Sequence, residues 1–169
     1  MDLDFLQQDA FDREVLMRVL AIDLGEKRCG LAVSDVRQCI ATPVDVVPLA
    51  EAVNNTGTFA AVLNEYEPEL LVCGLPVSLS GEEGRQARRI RAIAGQITKS
   101  CGIPHVFADE RLSSVSARGA LREMGYDDKR MKGKIDMVAA SMFLQSWLDS
   151  NSDLGVIDTT VDAKPGAAE

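Results

Sequence analysis

The sequence predicts an α/β fold, a five-stranded mixed sheet flanked by helices. Three strand-like runs, 18–24, 28–35 and 39–47, follow one another with only short connections, which makes an antiparallel meander. Helix and strand then alternate, so two further strands join in parallel through right-handed crossovers. The runs "VLAIDL" and "LLVCGL" are apolar throughout rather than alternating, as in strands covered on both faces.

The elements follow in order. Residues 1–16 read as an acidic extension, with Phe5, Leu6 and Phe11 compatible with a short amphipathic helix. The first two strands are joined by "GEKR", where Gly25 makes the turn. Pro43 removes a backbone donor from the third strand and so places it at the sheet edge. Phe59, Val62, Leu63 and Tyr66 recur at helical spacing, predicting a helix over 57–67 ended by Pro68. Residues 69–75 form a buried strand closed by Pro76. The loop "PVSLSGEEG" leads to a helix over 85–100 with the stripe Ala87, Ile90, Ala94 and Ile97. "HVFADE" is the fifth strand. Ser113 or Ser114 caps a third helix that stops at Gly125. "DDKRMKGK" reads as a basic linker, and 134–149 as the last helix. The resulting organisation is an extension over 1–16, one folded domain over 17–150 and a disordered acidic tail over 151–169.

Composition narrows the function classes. A chain of 169 residues with 46% hydrophobic content can bury one proper core. It has no apolar run of about eighteen residues, which argues against a membrane span, and its acidic N-terminus lacks a secretory apolar region. Cys29, Cys39, Cys73 and Cys101 are widely spaced, with Cys29 and Cys73 inside strands as small hydrophobes. A reducing, cytoplasmic setting is expected. The net charge of −8 sits largely at the ends: 1–16 carry −4 and 150–169 carry −3, leaving about −1 between them. Within that middle part, Arg85, Arg88, Arg89 and Arg91 form one basic cluster, and Lys129, Arg130, Lys132 and Lys134 another. A nucleic-acid partner stays open, although net charge does not favour it.

Three carboxylates stand out by position. Asp23 interrupts the apolar first strand, Glu110 ends the fifth strand, and Asp136 opens the last helix. Strand ends and a helix start can converge if strands four and five flank strand one. Converging carboxylates repel, so they call for a divalent cation. All-oxygen donors without His or Cys suit Mg²⁺ or Mn²⁺, and such sites favour phosphoryl chemistry. Each acid alone also fits a structural role: Asp23 at the Gly25 turn, Glu110 paired with Arg111, Asp136 on the helix dipole. Other chemistries find little support. The single His105 starts a strand and serves no triad, zinc ligands are missing, and no Walker phosphate loop occurs. The arginines at 85, 88 and 89 fit either a phosphate track or a solvated face.

Four stretches together, "LAIDLGEKRCGLAVSD", "VCGLPVSLSGEEGRQARRIR", "FADERLSSVSARGAL" and "KIDMVAASMFLQSWL", resemble the YqgF/RuvX family, whose members are described as Holliday-junction resolvases and as pre-16S rRNA nucleases. The resemblance covers about residues 17–149. It implies an RNase H-like fold with strand order 3-2-1-4-5, and it matches Asp23, Glu110 and Asp136 to the family's acidic, metal-binding triad. Departures are small: Cys29 is an unusual apolar choice, and Ser113 and Ser114 stand where threonine is commoner. The expected activity is metal-dependent phosphodiester hydrolysis, with pre-rRNA favoured over branched DNA. Arg85, Arg88, Arg89, Arg111, Lys132 and Lys134 are the candidate nucleic-acid contacts. The chain would act as a monomer or a homodimer, a resolvase needing two sites. Two rivals remain: an actin- or hexokinase-like ATPase, which lacks its second domain here, and a non-catalytic RNA-binding or transcription-associated adaptor, against which the intact triad argues.

Overall fold

A computed structural model describes residues 16–76, 80, 83–109, 118–119, 121–131 and 133–151. Strands β1 (Val19–Leu24), β2 (Arg28–Ser34) and β3 (Ala41–Pro48) form the expected meander. Helices α1 (Leu49–Asn54) and α2 (Gly57–Tyr66), strand β4 (Leu70–Leu75), helix α3 (Arg85–Cys101) and strand β5 (His105–Asp109) follow. The short helix α4 (Asp128–Met131) and the long helix α5 (Ile135–Asn151) close the described chain. The sheet order is β3-β2-β1-β4-β5, with β1 parallel to β4 and β4 parallel to β5. Pro43 lies in β3, which is an edge strand as expected, and pairing shifts register there between Leu31 and Ala32 of β2.

The sheet is covered on both faces, which is why β1 and β4 read as unbroken apolar runs. On one face Leu20, Ile22, Leu31 and Cys73 pack with Phe59 of α2 and with Ala87, Ile90, Ala94 and Ile97 of α3. On the other, Val19, Ala21, Ala32 and Val72 pack with Ala140, Phe143, Leu144 and Leu148 of α5. The period-two alternation of a strand therefore puts Asp23 and Gly30 on the α5 face.

Several segments differ from expectation. Helix α1 has no sequence signal, because six residues are too few for an apolar stripe to repeat. Pro48 sits just before it, where no backbone donor is needed, and Asn55 ends it in the left-handed region at φ 52°. Glu51 of α1 then accepts the Thr58 N–H at 2.7 Å and so serves the start of α2. The basic segment contains the helical turn α4, its start fixed by Asp127 accepting the Arg130 N–H at 2.8 Å. The helix expected to end at Gly125 does so: residues 121–123 are helical, Gly125 has φ 82°, and its N–H donates to the Arg122 carbonyl at 3.0 Å. The start expected at Ser113 or Ser114 lies outside the described residues, as do the two ends, 1–15 and 152–169. Among the described residues, no helix is long and apolar enough to cross a membrane.

Candidate active site

The hairpin "DLGEKRCG" builds one wall of the site. Asp23 of β1 pairs with Gly30 of β2, and between them the Gly25 N–H donates to the Arg28 carbonyl at 3.0 Å. Gly25 is required there, since a Cβ would lie 2.6 Å from that carbonyl oxygen. Gly30 does different work. A Cβ on it would overlap the Asp136 carbonyl group and the Met137 nitrogen. The bare backbone of β2 thus lets the first turn of α5 rest directly on the sheet, beside Asp23. Two of the three expected carboxylates, Asp23 and Asp136, are brought to one face and one end of the sheet. The third, Glu110, follows the end of β5 and lies outside the described residues, as do Arg111 and Lys132.

Both carboxylates are partly exposed. Asp136 Oδ2 accepts from the Arg28 Nε at 3.0 Å. The electrostatics of the corner register on Cys29, between Arg28 and Gly30. Burial first, then the negative charges of Asp23, Asp136 and Glu51, push its thiol up to about 12. Two hard oxygen donors in one negative corner fit a divalent cation of the Mg²⁺ or Mn²⁺ class. The described residues alone hold no group of three His, Cys, Asp or Glu able to complete such a site.

The arginines of α3 are placed less simply than a phosphate track. Arg85 and Arg88 are exposed. Arg89 donates to the Gly25 and Glu26 carbonyls at 3.2 and 3.3 Å, clamping the hairpin tip two residues after Asp23. Arg91 pairs with Glu83 through Nε at 2.9 Å and lies 4.6 Å over the Phe107 ring. Lys134 sits next to α5 with its ammonium 4.8 Å from the Tyr126 ring. His105 lies at the start of β5, away from the carboxylates, and its Nδ1 is 2.6 Å from Thr98 Oγ1. Burial, then Arg91, lowers its basicity, as suits a neutral structural imidazole.

Sequence reasoning missed Arg28 as a site residue. The signal was available: with period two, Arg28, Gly30 and Ala32 share a face of β2, the face that Asp23 shares across the ladder.

Comparison with known proteins agrees with this architecture. A family model described as RuvX, Holliday junction resolvase, matches residues 17–150. A protein of an Anaeromyxobacter species named "Putative pre-16S rRNA nuclease" is 40% identical over 133 residues, covering 79% of this chain and 97% of that one. One of the same name from Maridesulfovibrio salexigens is 38% identical over 135 residues, covering 78% and 98%. Among solved structures, the Fowlpox virus resolvase in complex with Holliday junction DNA superposes with a TM-score of 0.50 over 79% of this chain and 98% of that one, at 12% identity. That likeness concerns the fold, which is RNase H-like. On the match over 17–150 and on relatives at 40% identity, the chain belongs to the RuvX family of nucleases.

Proposed function

We propose that the chain is a metal-dependent nuclease that hydrolyses phosphodiester bonds of precursor 16S rRNA, with Asp23, Glu110 and Asp136 as the ion-holding carboxylates. The observation that carries the reading is the seating of Asp136 on Gly30, across the ladder from Asp23. Two carboxylates at one end of one sheet face supply the hard oxygen donors that a divalent cation takes. The relatives named for pre-16S rRNA favour RNA as substrate. The family description favours a four-way DNA junction as the second reading.

When bound, a divalent ion supplies Lewis-acid stabilisation of phosphoryl oxygens and a more acidic water. The chain's own residues do the positioning. Asp23 is held by the β1–β2 ladder, and Arg89 fixes the hairpin tip that follows it. Arg28 orients Asp136 through Oδ2, leaving Oδ1 on the other side of the carboxylate. Arg85, Arg88 and Arg111, with Lys132 and Lys134, are the candidate contacts for backbone phosphates.

The test is cleavage of labelled precursor 16S rRNA and of a four-way junction, side by side, with Mg²⁺, with Mn²⁺ and with chelator. Cleavage of the RNA only with added ion is expected. Ion-dependent resolution of the junction with intact RNA would transfer the reading to DNA. Neither substrate cut under any condition would remove it.

A further inference from the structure

Next to Asp136 the surface opens into a cleft of about 530 Å³, lined among others by Arg28, Arg118, Arg122 and Asp128. Three guanidinium groups face two carboxylates there, those of Asp128 and Asp136. Arg28 is held by Asp136 at 3.0 Å, whereas Arg122 reaches Asp128 only at 3.5 Å with both side chains well exposed. No described carboxylate forms an ion pair with Arg118. The fork of a guanidinium matches a phosphate in shape and charge.

A second cavity of about 490 Å³ is lined by Met124, Gly125, Tyr126, Arg130 and Lys134, so α4 contributes to both cavities. Met124 is 74% exposed, unusual for a large apolar side chain. Tyr126 is half-buried, with the Lys134 ammonium 4.8 Å from its ring. An aromatic ring, an apolar side chain and two cations together match an unpaired base on its charged backbone. A base inside a duplex presents no free face to such a surface.

We propose that these two cavities form one channel for a single-stranded nucleic-acid segment, in which Arg118 and Arg122 hold backbone phosphates beside Asp136 and Tyr126 stacks an unpaired base. The channel rests on the nuclease reading above and deepens it: the substrate is unpaired next to the bond that is cut.

The experiment is fluorescence anisotropy of the full chain in chelator, over a salt series. The probe is a labelled RNA strand of about 12 nucleotides, single or annealed to its complement. Wild type should prefer the single strand. Arg118→Ala and Arg122→Ala should each flatten the log–log salt slope by about 0.7, with Arg122→Lys keeping it. Tyr126→Ala should weaken single-strand binding by about 5- to 150-fold and leave the duplex unchanged, and Tyr126→Phe should bind as wild type. Unchanged salt slopes in both arginine variants, at wild-type melting temperature, would overturn the channel, as would equal loss for single strand and duplex in Tyr126→Ala. Binding in chelator does not depend on cleavage, so the two readings fail separately. The expected slopes with no ion-dependent cutting would support the channel and remove the nuclease. Cutting with unchanged slopes would do the reverse.

Discussion

Gly30 and Asp136 pack backbone against backbone, with no space between them for even one methyl group. This contact sets the height of the α5 start over the sheet, and with it the separation of Asp136 from Asp23. Gly30→Ala should push the first turn of α5 off β2. Overpacking of this kind costs about 1–3 kcal/mol, so the denaturant midpoint should drop. Ion-induced thermal stabilisation should weaken at the same time, because the carboxylates no longer converge. A variant with wild-type stability and wild-type ion response would show that the helix start tolerates displacement.

Arg28 holds Asp136 Oδ2 at 3.0 Å, so an ion on the Asp136 carboxylate would share that group with a second cation. The pair is partly exposed, with side-chain accessibilities of 48% and 33%, so its loss should cost no more than about 1 kcal/mol. Arg28→Ala should therefore melt within a few degrees of wild type in chelator. In the absence of nucleic acid it should bind Mg²⁺ or Mn²⁺ about 2- to 5-fold more tightly, the competing cation having gone. Calorimetric titration measures this directly. Unchanged ion affinity would mean that Asp136 is not a ligand.

What was legible in the sequence follows from how local each signal is. The apolar runs of β1, β2 and β4 and the α3 stripe of Ala87, Ile90, Ala94 and Ile97 are local, and the structure matches them within a residue or two. The edge position of β3 was likewise readable, from Pro43 alone. Helix α1 was not, since its single turn and a half is defined by Pro48, Asn55 and tertiary contact rather than by periodicity. At the site, positions of Asp23 and Asp136 could be read as a strand acid and a helix-start acid. Their convergence was legible only conditionally from the residues and through the family resemblance, which supplied the strand order; the close seating that a bare Gly30 allows was not. The basic cluster on α3 shows the same limit: a run of arginines says nothing of the distant carbonyls of Gly25 and Glu26 that occupy Arg89.

The four thiols should react in two classes. Burial, followed by nearby groups, pushes Cys29 and Cys73 up to about 12, and both are buried under the α3 side of the sheet. Cys39 is exposed and Cys101 is intermediate. Native alkylation at pH 8 should label Cys39 first and Cys101 more slowly, with Cys29 and Cys73 modified only after unfolding, as peptide mass spectrometry can read. The same shifts set a pH dependence. A thiol whose folded value is raised contributes its full stability below the ordinary value of 9.0 and loses it as pH rises towards about 12. Between pH 8 and 10 the two thiols should lower stability by on the order of 1 kcal/mol each. Cys73→Ala should reduce that decline. An equal decline in the variant would assign it to other groups.

Asp23→Asn tests the proposed mechanism most directly. The amide keeps the shape of the carboxylate and removes its charge, so the β1–β2 ladder through Gly30 should be undisturbed. The negative corner felt by Cys29 loses the acid with the largest effect on it, and one like charge at that end of the sheet is removed. In chelator the variant should melt at or above the wild-type temperature. Ion-induced stabilisation should vanish. Loss of an outer-shell partner commonly costs about 10- to 100-fold in metal affinity or activity, so loss of a direct ligand should reduce cleavage by about a hundredfold or more. Glu110→Gln and Asp136→Asn should follow the same pattern, since the proposal has all three serve one ion site. A purely structural Asp23 would behave otherwise: activity would persist, or fold and activity would fall together. Cleavage, ion titration and melting on the three variants beside wild type separate these outcomes. Near-wild-type cutting by Asp23→Asn, on a substrate that wild type cuts only with added ion, would end the proposal that Asp23 holds the metal.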